Sequence, residues 1–249
     1  MDLGIIAVMN VLGAVRNVGK LIYPPRCIGC DEVLAEEMRD GGICKACRPL
    51  IHPVKEPLCK KCGKQIYHAD RAYCMDCDTR PHVYTEGRGV FLYEGPMKQA
   101  MYRLKYGNRR GVAEVIAREA LRNHGRWIAS MQPEALVPVP IHRNKRIKRG
   151  YNQAEVMAQA ISRQTGIPVV PLVERTVDTL PQKELTPEKR AKNLKNAFKV
   201  GKNGVKFKRI LIIDDIYTTG ATVDAMAGIL LNRGIDEVYC LYGCIGQGY

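Results

Sequence analysis

Two adjacent carboxylates, Asp214 and Asp215, follow a run of apolar residues and precede a turn that opens a helix. The run Arg209–Ile213 predicts a buried strand, and residues 221–233 have the pattern of a helix. Backbone N–H groups at the start of a helix are unpaired and lie at the positive end of its dipole, so they form a site for anions. The residues expected to hold a phosphate there are Thr218, Thr219, Gly220, Ala221 and Thr222.

The two acids suit a vicinal diol, because each carboxylate can accept hydrogen bonds from hydroxyl groups, and one of them can also reach Mg²⁺. A phosphate on one side and a diol on the other describe a ribose 5-phosphate. The alternative is an ordinary strand–turn–helix in which the acids only cap the helix. The ordered series of apolar run, Asp-Asp, two spacers and Thr-Thr-Gly-x-Thr favours the ligand site.

Eight of the ten cysteines form four C-x-x-C pairs, a repeated spacing that is typical of tetrahedral zinc sites. They predict two structural zinc ions, each held by four thiolates. Sequential pairing of the motifs is preferred, a cross-brace stays open, and a redox role is the weaker alternative. The expected ligands are Cys27, Cys30, Cys44, Cys47, Cys59, Cys62, Cys74 and Cys77.

The other cysteines, Cys240 and Cys244, are expected to share one face of a strand as small core residues.

Free thiolates persist in a reducing compartment, and the apolar start of the chain lacks the features of an export signal. No stretch approaches the roughly 20 apolar residues of a membrane span. The sequence therefore predicts a cytoplasmic protein.

Composition and hydrophobic pattern divide the chain into three parts. Residues 1–22 predict a short amphipathic helix, residues 23–84 a double zinc ribbon, and residues 85–249 an α/β domain in which alternating strands and helices build a parallel sheet. The net charge of +14 is larger than solubility requires and favours a polyanionic partner.

Five basic residues fall within seven positions after the strand predicted at Ala135–Pro140. We expect this segment to be a loop, which either binds a polyanion or is simply solvated. Its basic residues are Arg143, Lys145, Arg146, Lys148 and Arg149.

Residues 210–222 resemble the phosphoribosyl pyrophosphate signature of type I phosphoribosyltransferases. The resemblance implies that Asp214 and Asp215 hold the ribose 2- and 3-hydroxyls, that Thr218–Thr222 hold the 5-phosphate, and that the basic loop holds the pyrophosphate with Mg²⁺. It also implies a sheet of five parallel strands and a mobile loop at Gln182–Asn193. The cations expected from that loop are Lys183, Lys189, Arg190 and Lys192.

The order of motifs along nearly the whole chain resembles the ComF family, whose members join a double zinc ribbon to a phosphoribosyltransferase-like domain. The resemblance implies a role in natural competence, contact with incoming single-stranded DNA and partners in the DNA-uptake machinery. The matching segments are Tyr23–Cys27, Tyr93–Gly95, Leu104–Gly107, Val137–Pro140, Arg149–Gln153 and the loop ending at Thr222.

Three functions fit these observations. The first is an accessory protein that binds single-stranded DNA and phosphoribosyl pyrophosphate or a 5-phosphate, with Tyr102, Tyr106 and Tyr151 as candidates for base stacking. The second is a phosphoribosyltransferase with an unknown acceptor, and the third is a ligand-sensing regulator whose zinc ribbon contacts a partner. No catalytic residue is assigned, because Thr218 stands where base-deprotonating relatives carry Asp, and a base-gripping hood is not expected after the last strand unless the zinc module supplies it.

Overall fold

The computed structural model describes residues 24–38, 41–68, 70–176, 197–201 and 206–248. The helix predicted over 1–22 and the cations of the predicted mobile loop, Lys183 and Arg190 among them, lie outside these residues. Among the helices within them, none is long and apolar enough to cross a membrane.

Four parallel strands form the central sheet, in the spatial order β1-β6-β5-β2. Strand β5 lies between two neighbours and its apolar residues are buried, as expected for a parallel strand covered on both faces. The strands are β1 Glu86–Leu92, β2 Ala135–Pro138, β5 Arg209–Tyr217 and β6 Glu237–Ile245.

The expected fifth parallel strand is reduced to a single bridge between Leu136 and Val169. Pro171 has no N–H to continue that ladder, and the chain turns instead into a short antiparallel pair. This pair joins β3 (Val173–Arg175) to β4 (Phe198–Val200) in a separate small sheet.

Six α-helices are described, and two of them differ from the prediction. The second long helix continues to Met131 rather than ending near residue 123, because His124, Ile128 and Met131 extend its buried face at helical spacing. The basic segment predicted as a loop is itself a short helix, α4. The helices are α1 Met75–Thr79, α2 Gly95–Tyr106, α3 Gly111–Met131, α4 Arg143–Arg149, α5 Gln153–Thr165 and α6 Ala221–Leu231.

The helices cover the sheet on both faces. Buried residues of α2, α3 and α5 pack on one face, and those of α6 pack with β3 and β4 on the other. Helix α5, in the connection after β2, and helix α6, which follows β5, therefore lie on opposite faces. Between these two strands the connections diverge, which makes a crevice at their carboxyl ends, where open α/β sheets bind ligands.

The cysteines form two clusters of four, and both use sequential motifs. Cys27, Cys30, Cys44 and Cys47 make one cluster and the remaining four ligands make the other, with all ligand atoms of a cluster within 4.8 Å of one another. The Sγ atoms of Cys30 and Cys44 lie 3.8 Å apart, close to the spacing of about 3.8 Å that four Zn–S bonds of about 2.3 Å impose in a tetrahedron. The sequential pairing is confirmed, and the donor sets fit structural zinc.

Each zinc ribbon packs on a different face of the sheet. Cys27, Ile28 and Leu34 of the first ribbon join the core of α2 and α3, whereas Cys59 and Cys62 of the second join the core of α6. Residues 52–54 connect the ribbons and run antiparallel along β1, where the N–H of Val54 donates to the carbonyl of Val90 (3.0 Å). The zinc module thus encloses the edge strand of the sheet.

Replacing one zinc ligand tests this arrangement. We expect Cys62→Ser to lower bound zinc from two ions per chain to one, and to lower the free energy of unfolding by about 4 kcal/mol or more, because loss of a metal site also opens the core beneath it. The measurements are colorimetric zinc release and urea unfolding. Cys240→Ala, at a buried cysteine outside the clusters, is the control and keeps both ions; equal zinc contents in the two variants would contradict the assignment.

Candidate functional site

The turn after β5 presents unpaired backbone N–H groups, as the sequence predicts. Thr218 and Thr219 are exposed, and Gly220 has φ of 78° at the start of α6. The first hydrogen bond of the helix runs from the N–H of Asp224 to the carbonyl of Gly220 (2.9 Å), so it leaves residues 221–223 without intrahelical acceptors. We call residues 218–222 the phosphate turn; together with Asp214 they line a surface concavity.

His82 lies against the phosphate turn and the first turn of α6. Its imidazole Nδ1 is hydrogen-bonded to the Asp224 carboxylate, and its Nε2 lies 3.4 Å from the hydroxyl of Tyr217. The N–H of Val83 donates to the same carboxylate (3.0 Å). The segment that follows the second ribbon is thereby fixed to the first turn of α6, a contact between residues 142 positions apart that no local sequence signal predicts.

The two acids of β5 have different partners. The strand was predicted to end at Ile213 but continues to Tyr217, so Asp214 and Asp215 lie within it. Asp214 lines the concavity of the phosphate turn. Asp215 points to the α2 and α5 side, where its Oδ2 accepts from Gln153 Nε2 (3.0 Å).

Lys105 of α2 forms an ion pair with Asp215, with 2.8 Å between Nζ and Oδ2. Neither Lys105 nor Gln153 was assigned to the site from the sequence. A signal was present, since both lie in the segments Leu104–Gly107 and Arg149–Gln153 that carry the family resemblance. Their motifs lie far apart in the chain, and only the fold brings them to one carboxylate.

These contacts separate the proton affinities of the acid pair. Burial, reinforced by the charge of Asp215, raises the pKa of Asp214 to about 8. Burial alone would also raise the pKa of Asp215, but the ammonium of Lys105 and the hydrogen bond from Gln153 outweigh it and lower that pKa. At neutral pH Asp214 therefore carries a proton and Asp215 is ionised.

The basic helix α4 lies next to the acid pair, because β2 and β5 are neighbouring parallel strands. Arg149 donates to the side-chain oxygen of Gln153 (3.0 Å), which in turn donates to Asp215. Arg146 pairs with Glu155 (3.0 Å), whereas Arg143 and Lys148 are exposed. A helix presents these cations at fixed spacing, which a loop would not do.

Exposed aromatic rings continue this surface. The rings of Tyr102 and Tyr106 lie 5.0 Å apart, and the guanidinium of Arg149 lies 4.8 Å from the centroid of Tyr106. We call Tyr102, Tyr106 and Arg149 the aromatic patch. Tyr151, the third stacking candidate, is buried and its hydroxyl donates to the carbonyl of Leu104, so it is not accessible to a base.

The last two cysteines are both fully buried, as predicted, but they do not share a face. Cys240 packs in the core beside α6, whereas Cys244 packs in the core of α2 and α3. The alternation of side chains is interrupted next to Gly243, which already faces Met157 of α5 on the side where Cys244 also lies.

Comparisons with known proteins agree with this architecture. The double zinc ribbon domain family matches residues 18–78. Competence protein F of Haemophilus influenzae is 32% identical over 220 residues, which cover 86% of this chain and 93% of the relative. The chain belongs to the ComF family. Two further ComF relatives are DNA utilization protein YhgH of Escherichia coli (31% identical; 89% of this chain, 98% of the relative) and competence protein ComFC of Bacillus subtilis (28% identical; 88% and 94%).

The shape of the phosphate turn can be tested at Gly220. A Cβ there would lie 2.6 Å from the Tyr217 hydroxyl and 2.8 Å from His82 Cε1, at a positive φ. We expect Gly220→Ala to lower the free energy of unfolding by about 2–4 kcal/mol, measured by urea denaturation. Gly228→Ala, within α6 where a Cβ meets nothing within 4 Å, is the control and should instead stabilise the protein by about 0.5–1 kcal/mol. Equal effects would show that the turn is not so constrained.

Proposed function

We propose that this ComF-family protein acts in DNA uptake, where it binds a 5-phosphoribosyl ligand at the phosphate turn and single-stranded DNA on the aromatic patch beside it. The relatives are named for competence and for DNA utilization, which supports the process. Zinc thiolates need a reducing compartment, so we place the protein in the cytoplasm.

The observation that carries the ligand proposal is the group of unpaired amides at the carboxyl ends of β5 and β2, where the connections after these strands diverge. The N–H groups of residues 221–223 and the hydroxyls of Thr218 and Thr219 offer donors to a dianionic phosphate. Asp214 lies in the same concavity, where its carboxyl group can exchange hydrogen bonds with ribose hydroxyls. Asp215 lies beside it and is held by Gln153 and Lys105.

The basic helix α4 supports phosphoribosyl pyrophosphate as the ligand. It begins just after β2, across the crevice from the phosphate turn, where its cations suit a second anionic group. We assign pyrophosphate contact to Arg143, Lys145, Arg146, Lys148 and Arg149, together with Lys183 and Arg190 of the segment outside the described residues. Mg²⁺ would enter bound to the pyrophosphate oxygens and neutralise part of their charge.

The aromatic patch supports single-stranded DNA as the second partner. Exposed rings offer stacking platforms to unpaired bases, and neighbouring cations follow the phosphate backbone. Tyr102 and Tyr106 are 61% and 57% exposed, and α4, whose Arg149 contacts Tyr106, also carries the exposed Arg143 and Lys148. Because Arg149 reaches both Tyr106 and Gln153, the DNA surface adjoins the sugar-phosphate site.

Calorimetric titration with phosphoribosyl pyrophosphate and Mg²⁺ tests the ligand site. We expect Asp214→Ala to weaken binding about tenfold or more, because a buried hydrogen-bonding group facing the sugar is lost. Asp236→Ala is the matched control: Asp236 pairs with Lys208 before β6, at the opposite end of the sheet, and its loss should leave the affinity unchanged. Equal affinities of wild type and Asp214→Ala would refute the assignment.

Fluorescence anisotropy with a labelled oligothymidine tests the DNA surface. We expect Tyr106→Ala to weaken binding by about 1–3 kcal/mol, the stacking energy of one base. Arg143→Ala with Lys148→Ala should reduce the slope of log affinity against log salt by about 0.7 for each phosphate contact removed.

Tyr73→Ala removes an exposed tyrosine on the second ribbon and serves as the control for both variants. If it weakened DNA binding as much as Tyr106→Ala does, the DNA surface would have to be placed elsewhere.

A further inference from the structure

Asp215 accepts from three donors of the protein itself, which occupy most of the roughly four acceptor positions of a carboxylate. Its Oδ1 accepts from the backbone N–H of Ile216 (2.8 Å), and its Oδ2 accepts from both Gln153 Nε2 (3.0 Å) and the ammonium of Lys105 (2.8 Å). The side chain of Asp215 is only 9% exposed and that of Lys105 only 21%. Asp215 and Lys105 therefore form a largely desolvated ion pair rather than a surface contact.

A divalent metal does not fit this donor set. Mg²⁺ requires oxygen ligands at about 2.0–2.1 Å in an octahedron and keeps several waters. The ammonium of Lys105 already lies against the oxygen that such an ion would use, and it would repel a second cation. Asp214 is also a poor ligand, because its Oδ1 accepts from the N–H of Asp215 (2.8 Å) and its raised pKa keeps the carboxyl group protonated.

The charge balance leads to the same conclusion. With Asp214 protonated at neutral pH, the charges of Asp215 and Lys105 cancel, and the group of three is neutral. A cation therefore gains no net attraction from these side chains. The neutral carboxyl group of Asp214 can still donate one hydrogen bond and accept another, which is what a sugar hydroxyl needs.

We propose that Lys105 takes the place of a divalent cation at the acid pair, so that the protein binds a sugar 5-phosphate without Mg²⁺. Metal then enters only with ligands that carry their own pyrophosphate. The inference rests on the proposed function, since it specifies how the same site receives the sugar. It also defines a ligand class: pentose 5-phosphates that lack a pyrophosphate are bound in buffer free of Mg²⁺.

Ribose 5-phosphate is the probe that separates these cases, because it has the phosphate and the diol but no pyrophosphate. Calorimetric titrations of the full chain would be run in two buffers, one freed of Mg²⁺ by ion-exchange treatment before the protein is added, the other containing millimolar Mg²⁺. We expect affinities that agree within about twofold, since the attraction comes from the turn amides and Asp214.

Lys105→Met is the variant that tests the role of the lysine. It removes the internal cation, and we expect ribose 5-phosphate affinity without metal to fall about tenfold or more, with part of the loss restored by Mg²⁺. Without sugar, we expect Lys105→Met to bind Mn²⁺ at the acid pair, which would reduce the electron paramagnetic resonance signal of the free ion. Wild type should leave that signal unchanged. Lys98→Met, at an exposed lysine of the same helix, is the control and should behave as wild type.

The outcomes are distinguishable. Wild-type binding only in Mg²⁺, or a Lys105→Met variant identical to wild type, would overturn the inference while leaving the ligand site in place. No binding in either buffer would overturn the proposed function and the inference with it. If Lys105→Met fails to fold because Asp215 is left unpaired, Lys105→Met with Asp215→Asn removes both charges, and Lys105→Arg, which keeps the cation, should retain metal-independent binding.

Discussion

The site depends on strand β5, which continues past its acid pair to Tyr217 instead of stopping before it. At the pair, the N–H of Asp215 donates to the Asp214 carboxylate and the N–H of Ile216 donates to the Asp215 carboxylate, so the backbone itself holds both acids. Asp214 lines the concavity of the phosphate turn, whereas Lys105 and Gln153 engage Asp215. Two neighbouring acids thereby have different surroundings and different proton affinities.

Much of the fold could be predicted from the sequence, because its signals are local. The repeated C-x-x-C spacing predicts the zinc clusters, and the apolar run of β5 followed by a glycine turn predicts the helix start with its free amides. Where local signals compete, the prediction is less accurate. Strand β5 is longer than its apolar run, because its pairing with β6 continues to Tyr217. The basic segment folds as a helix, with His142 and Gly150 at its ends.

The contacts that complete the site could not be predicted in the same way, because they join residues distant in the chain. His82, just after the second ribbon, meets Asp224 near the other end of the chain, and Lys105 meets Asp215 from α2. No spacing rule relates these positions. Tyr151 illustrates the converse: the sequence places it beside cations, which suits DNA contact, yet the fold buries it beneath Arg110.

The way the zinc ribbons enclose β1 has a consequence for solubility. An uncovered edge strand offers unpaired N–H and C=O groups to any other extended chain, and this is a common origin of aggregation. Here residues 52–54 occupy that edge, between the two cysteine clusters. Loss of zinc would loosen the ribbons that hold this segment and uncover the edge. Metal binding and resistance to self-association are therefore linked in this fold.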